Sequence, residues 1–437
     1  MSPGAVTIFT FGMLLSLIGL GIPLGFSTLA TAIVVGTTVY GFDSLLIIVG
    51  RIYDASTNYV LITVPLFIMM GVLMERGGIA NRLFGVLHLW SSRLPGGMAL
   101  GCVFAGAIMA AMVGIVGAEV ITLGLVALPA MIKRGYDQRI TLGVICASGS
   151  LGALIPPSLV LVFYGLIAGV SIAELYAAAL VPGLLLAFCF AVYIGVRCWF
   201  QPHLAPPPPA EELALPLLTK LALGKNLILP FGIVLAVLGS LYFGIAAPTE
   251  AAAIGAAGAL FAVIVSGNFR VRDIHEVLIQ TGKSIGPVMW TFFGATGLIG
   301  IYAFTGGITY MSNLIAGLPL PPMGIIAFMM FILVLLGMVV DWVGIALLTM
   351  PVFVPVIRTL GYDPIWFGVL FCVNMQIGYL SPPFGSAAFY LKSVTPPEIT
   401  LGQIFGSVWP FVMVQMFVLI LVMFFPSLAL WLPAQMR

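Results

Sequence analysis

Apolar runs of roughly 20 residues follow one another along almost the whole chain, and that length is what one helix needs to cross a bilayer core about 30 Å thick. Few charges interrupt them: 7% of the 437 residues are charged, against roughly a quarter in a soluble domain. About ten spans fit. The runs lack the strict alternation of a barrel strand, and hydrocarbon tolerates only closed backbone hydrogen bonding, so the spans read as helices. The fold class expected is all-α and integral to the membrane. Ala5 to Leu20 reads as the first span, because no Lys or Arg precedes it to make the basic region of a cleaved signal peptide.

Other function classes fall away early. The cysteines Cys102, Cys146, Cys189, Cys198 and Cys372 lie in or beside apolar stretches with no CxxC spacing, so they read as packing residues. The histidines His88, His203 and His275 are expected in polar connections rather than at membrane depth. A formal charge of +2 gives no ground for a nucleic-acid partner, and there is no GxxxxGK[ST] run for a nucleotide.

The sequence repeats itself. Gly135, Gly152 and Pro156 recur as Gly361, Gly378 and Pro382, each 226 residues on, and Pro129 recurs as Pro355. With small slips Gly77-Gly78-Ile79 answers Gly306-Gly307-Ile308, and Ile22-Pro23 answers Ala247-Pro248. Two such halves are a transporter signature. Residues 1–200 form the first repeat and 226–437 the second, joined by a linker, 201–225, that holds Pro206 to Pro209 and Glu211-Glu212. A proline run cannot continue a helix and leaves an extended tether, here expected on the cytoplasmic side. Scaffold helices are expected over about 1–97 and 226–322, a hairpin with a broken helix over about 98–170 and 323–392, and last helices over about 174–199 and 402–431. Amphipathic connections are read at about 43–57 and 271–284.

The hairpins carry the functional argument. Met98 to Ile132 and Gly324 to Ile357 are apolar throughout but interrupted midway, at Gly114 to Gly117 and Asp341 to Gly344. Two arms of about 15 residues are too short to cross separately, so each pair reads as a re-entrant helix–turn–helix. The spans that follow are expected to be interrupted at Ser148 to Gly152 and at Asn374 to Gly378, each break closing on a Pro-Pro pair. With the N-terminus periplasmic, Lys and Arg gather inside, with Arg51, Arg358 and Arg437 the exceptions. That bias inverts one repeat relative to the other.

Unwound backbone at membrane depth is tolerated where it lines protein or a cavity, and its free carbonyls suit a hard cation such as Na⁺. The expected Na⁺ ligands are therefore Gly114, Gly117, Ser148, Ser150, Gly152, Asp341, Gly344, Asn374, Gln376 and Gly378, with no transition metal and no cofactor. For one turn alone, close helix packing by small residues is the better reading. Four symmetric interruptions favour a site. Asp341 also suits a helix N-cap, and Glu250, after Pro248, suits a helix start. Glu119 is open to three roles: facing a cationic or hydroxylated substrate, carrying a proton, or pairing with a buried Arg. Half-helix N-termini at Pro156-Pro157-Ser158 and at Pro382-Pro383, with Ser386 beyond, attract an anionic group. The expected substrate is a small carboxylate.

Taken together, Val64-Pro65-Leu66-Phe67, Met74-Glu75-Arg76-Gly77-Gly78, Lys133-Arg134-Gly135-Tyr136-Asp137, Ala147-Ser148-Gly149-Ser150, Ile155-Pro156-Pro157-Ser158 and Ala247-Pro248-Thr249-Glu250 resemble the large membrane subunit of tripartite ATP-independent periplasmic (TRAP) transporters. The resemblance covers nearly the whole chain. It implies a scaffold and a mobile transport domain working as an elevator, Na⁺ coupling, a small four-helix membrane subunit, a periplasmic substrate-binding protein and a place in the bacterial inner membrane. Many members have a Ser-rich first tip, whereas here it reads Met112-Val113-Gly114-Ile115, so coordination there rests on backbone oxygens. Two alternatives stand beside it: a stand-alone symporter of the same architecture, and a membrane enzyme using Asp341 or Glu119, against which no histidine or cysteine accompanies either carboxylate.

Overall fold

The computed structural model describes residues 1–114, 116–209, 216, 220, 222, 224–266 and 271–436. Ile115, most of the linker beyond Pro209 including Glu211 and Glu212, Arg270 and Arg437 lie outside the described residues. The described chain is helical. In the first half α1 (Pro3–Gly19), α2 (Leu24–Tyr40), α3 (Ser44–Ser56), α4 (Thr63–Arg76) and α5 (Ile79–Ser91) lead to a hairpin, α6 (Gly97–Val113) and α7 (Val116–Lys133). Then follow α8 (Gln138–Ser150), α9 (Leu159–Ala168) and α10 (Ile172–Phe200). The second half runs α11 (Lys225–Tyr242), α12 (Pro248–Val265), α13 (Val271–Phe304), α14 (Gly307–Ala316), α15 (Pro322–Gly337), α16 (Trp342–Thr359), α17 (Pro364–Leu380), α18 (Ser386–Lys392), α19 (Leu401–Phe424) and α20 (Ser427–Ala434).

Seven of the described helical stretches are long and apolar enough to cross a membrane, and seven further apolar helices are shorter. The element order of the first half recurs in the second, except that the counterparts of α3 and α4 are joined and the counterpart of α10 is divided. Asn58 caps a 3₁₀ turn, Tyr59–Ile62, by accepting a bond from the Val60 N–H, and this turn separates α3 from α4. In the second half the amphipathic stretch and the span after it are one 34-residue helix, α13, with Pro287 inside it.

The halves interlock. α2 packs along α13 and α12 along α4, while α19 lies on α8 and α10 on α17. Each contact joins an element of one half to an element of the other, so the core spans both. Local rules set the starts: Asp137, Asp363 and Thr400 accept bonds from the first-turn amides of α8, α17 and α19, as N-caps do. Glu250 reaches back to the Ala247 N–H at 2.8 Å, the structural role expected of it.

Five details differ from the sequence reading. The hairpin arms are longer than about 15 residues, and α7 and α16, at 18 residues each, are among the stretches long and apolar enough to cross a membrane, so arm length alone does not make the hairpins re-entrant. Asn374 to Gly378 are not a break, because α17 stays helical to Leu380 and the chain unwinds only over Ser381–Gly385. The first break likewise begins late: Ser148 and Ser150 are helical, Leu151–Ala153 is a 3₁₀ turn, and the irregular segment runs to Ser158. A missing proline N–H is felt four residues upstream, so each Pro-Pro pair ends its helix just before itself. The last span divides at Pro426 into α19 and α20 for the same reason. His88 and His275 are not in connections but inside helices, His88 in α5 with its backbone against Gly101 of α6 and His275 in the first turns of α13.

Candidate functional site

Each broken helix ends on carbonyls that the prolines after it cannot bond. Pro156 and Pro157 supply no N–H to Gly152 and Ala153, and Pro382 and Pro383 supply none to Gly378 and Tyr379. Ser158 Oγ takes up the Ala153 carbonyl at 2.6 Å. Both Pro-Pro bonds are cis. Tyr176 of α10 donates to the Ser158 carbonyl at 3.3 Å and so ties the first break to the next helix.

The first hairpin tip closes on the first break. Gly114 ends α6 at φ 63°, and a Cβ there would lie 2.6 Å from the Pro157 carbonyl oxygen. Only glycine meets both demands. Gly117, by contrast, is helical, and its small size admits the ring of Tyr390, whose Cζ a Cβ would approach to 2.9 Å. Glu119 is fully buried, packed so closely on Gly152 that a Cβ at Gly152 would fall 2.2 Å from its Oε1. The Gly152 amide faces the carboxyl, but neither oxygen reaches hydrogen-bond geometry with any described residue. Pairing of Glu119 with a buried Arg is therefore ruled out among the described residues. Ser150 Oγ donates to the Ala147 carbonyl at 2.8 Å and accepts from Gln415 Nε2 of α19 at 3.2 Å, while Ser148 Oγ is buried without a partner.

The second hairpin tip is more open. Asp341 caps α16, accepting from the Val343 N–H at 3.3 Å, and its side chain is exposed to a space inside the protein. It borders a void of about 10 Å³ together with Trp342, Ile345, Gly378, Tyr379, Phe384 and Ser386. That is close to the minimum volume for one water-sized occupant. Asn374 Nδ2 donates to the Met330 carbonyl of α15 at 2.9 Å, leaving Oδ1 unpartnered, and both polar atoms of the buried Gln376 lack partners. Gly378 meets α15 backbone to backbone: a Cβ there would lie 3.0 Å from Gly337 Cα. Gly344 faces away, against Leu24 of α2.

Between the two tips lies a cavity of about 340 Å³. Its wall takes Gly114 and Gly117 from the first hairpin, Asp341 and Trp342 from the second, Ala153, Leu159 and Val160 from the first break, and Tyr379, Ser386 and Tyr390 from the second. Val116 of α7, Ile68 of α4 and Ser284, Pro287 and Val288 of α13 complete it. Of the residues singled out in the sequence, Gly114, Gly117, Asp341 and Ser386 thus meet at one chamber. Glu119, Gly152, Ser148, Ser150, Asn374 and Gln376 lie behind it, and Pro156, Pro157, Ser158, Pro382 and Pro383 shape the turns without lining it. Tyr176, Tyr379, Tyr390, Trp342 and Gln415 escape a sequence reading. Aromatics at apolar spacing carry no signal that separates a cavity wall from a core.

The chain matches, over residues 11–428, the family described as the tripartite ATP-independent periplasmic transporter, DctM component. It is 31% identical over 394 residues to the C4-dicarboxylate TRAP transporter large permease protein DctM of Pseudomonas aeruginosa, covering 90% of each chain. It is 29% identical to the ectoine/5-hydroxyectoine TRAP transporter large permease protein UehC of Ruegeria pomeroyi, covering 85% of each. Among solved structures the YdaH transporter of Alcanivorax borkumensis superposes with a TM-score of 0.64 at 16% identity, over 94% of this chain and 98% of that one, a likeness of fold. The relatives are permeases, which removes the membrane-enzyme alternative. A helical, multi-pass membrane protein with this match over nearly its full length belongs to the DctM family, the large permease subunit of TRAP transporters.

Proposed function

We propose that this chain is the solute-carrying subunit of a Na⁺-coupled importer in the bacterial inner membrane, and that the solute is a small carboxylate-bearing molecule. The observation that carries this reading is the chamber where both hairpin tips and both breaks converge on α4 and α13. Its volume is at the small end of ordinary ligand pockets, roughly 300–1,000 Å³. Na⁺ is assigned to two half-sites, behind the chamber and at its wall. Gly114, Ser148, Ser150 and Gly152 serve one, and Asp341, Asn374, Gln376 and Gly378 the other; Gly117 and Gly344 leave the expected set, because one seats the Tyr390 ring and the other packs on Leu24 of α2. A cation stripped of water needs a full set of oxygens. The carbonyls of Gly152 and Gly378, to which Pro156 and Pro382 offer no N–H, and the unpartnered side-chain oxygens of Ser148, Asn374 and Gln376 are suited to supply them. Asp341 borders both the small void and the chamber, so an ion and a solute bound there would sense one another.

Alternating access is assigned to an elevator motion, in which the hairpins and broken helices travel as a block against α2, α4, α12 and α13. In a tripartite system the remaining parts are a small four-helix membrane subunit and a periplasmic binding protein that delivers the solute. The halves are oriented oppositely in the bilayer, with the N-terminus periplasmic, as the Lys and Arg distribution favours. The test is uptake in vesicles holding the purified membrane subunits, with the binding protein outside. Uptake is expected only with an inward Na⁺ gradient and only with the binding protein present. Equal uptake on a proton gradient alone would remove Na⁺ from the reading, and undiminished uptake without the binding protein would favour a stand-alone symporter.

A further inference from the structure

The wall of the chamber has an unusual charge balance for a site that takes a carboxylate. Among the described lining residues no Lys, Arg or His is present, and Asp341 is the sole carboxylate. Three aromatic side chains, Trp342, Tyr379 and Tyr390, share the wall with it. Tyr379 borders the smaller void beside Asp341 as well. An anionic carboxylate flanked by aromatic faces attracts a cation twice, by its charge and by the ring quadrupoles. A plain dianion gains from neither. The wall also takes Leu159 and Val160, where α9 begins, and first-turn amides and the positive end of a 10-residue helix suit a carboxylate.

We propose that the solute of this chamber is a zwitterion, with its cationic nitrogen held by Asp341, Tyr379, Tyr390 and Trp342 and its carboxylate turned towards the start of α9. The inference rests on the reading that the chamber carries the solute. Asp341 keeps its part in the cation site, because its two oxygens accept in several directions and it borders the void on one side and the chamber on the other. Size agrees: the nitrogen and carboxylate of a betaine or a cyclic amino acid are only a few bonds apart, within a space of about 340 Å³.

The experiment offers the complete transporter, both membrane subunits in vesicles with the cognate binding protein, an equimolar mixture of dicarboxylates, hydroxy acids, betaines and amino acids under a Na⁺ gradient. Mass spectrometry reads what accumulates inside. A solute bearing both a basic or quaternary nitrogen and a carboxylate is expected, and accumulation of acids without such a nitrogen overturns the inference. For the accumulated zwitterion, Tyr390→Leu is expected to raise KM about tenfold while Tyr390→Phe, which keeps the ring face, stays near wild type. Equal effects of the two substitutions would count against the aromatic seat. The two readings fail separately. Na⁺-driven uptake of a plain dicarboxylate defeats the zwitterion and leaves the coupling, whereas zwitterion uptake indifferent to Na⁺ does the reverse.

Discussion

The two half-sites occupy equivalent places in the repeat, yet one is filled and the other open. At the first break Glu119 presses its carboxyl onto Gly152. At the second, Ile345 stands 226 residues on from Glu119 and borders the void beside Gly378. Gly152 is small to admit a side chain from α7, and Gly378 is small to admit the backbone of α15 at Gly337. The same residue in the same register thus serves a different neighbour in each half. A duplicated backbone therefore does not imply duplicated chemistry: the carboxylate is behind the chamber in the first half and at its wall in the second.

The largest effect that separates the halves belongs to Asp341. Asp341→Ala is expected to cut uptake by about 100-fold, equivalent to about 3 kcal/mol, while the lost N-cap lowers stability by only about 1 kcal/mol. Paired uptake and unfolding measurements check it, and a fully active variant would reduce Asp341 to a helix cap. Next comes crowding at the first break. Gly152→Ala places a methyl into Glu119 and is expected to destabilise by about 1–3 kcal/mol. A shorter side chain at 119, in the Glu119→Ala/Gly152→Ala pair, restores a good part of that, read as a coupling energy in a double-mutant cycle. The same second change should do nothing for Gly378→Ala, whose neighbour is Gly337; rescue there would erase the distinction between the halves.

A smaller effect probes the unpartnered amide of the second half-site. Gln376→Leu removes two buried polar atoms without partners, so the cation-free protein should gain about 1 kcal/mol while its stabilisation by Na⁺ shrinks. Melting with and without Na⁺ measures both, and an unchanged Na⁺ response would take Gln376 out of the ligand set. The smallest effect lies away from both half-sites. The Arg76 to Glu276 ion pair is solvent-facing, and Glu276→Gln should cost about 0–1 kcal/mol, fading with added salt.

Patterns confined to one segment are legible in the amino-acid sequence. The apolar runs dictate helices, and the Pro-Pro pairs announce breaks. The position of those breaks is less legible: proline frees a carbonyl four residues earlier, so α17 continues through Asn374, Gln376 and Gly378 to Leu380. Gly114 matters for its backbone, as expected, at φ 63°. Gly117, read as the other end of the same interruption, is instead helical and makes room for Tyr390. Asp341 as an N-cap follows from its place before an apolar run, because capping is a matter of a few adjacent residues.

The membrane, the helical class, the doubled element order and the two tips with their breaks are all properties of the sequence alone, since each follows from local composition, proline chemistry and a constant offset along the chain. The pairing of α2 with α13 and of α12 with α4 belongs to the tertiary structure. So does the seat of Glu119 on Gly152 rather than in the chamber, the bond from Gln415 to Ser150 across 265 residues, and the wall that Trp342, Tyr379 and Tyr390 share with Asp341. The physical reason is that these are contacts between helix faces. Periodicity shows that a face is apolar, but which face it meets depends on packing among many near-equivalent apolar surfaces, and that choice is made by shape and volume across the whole fold.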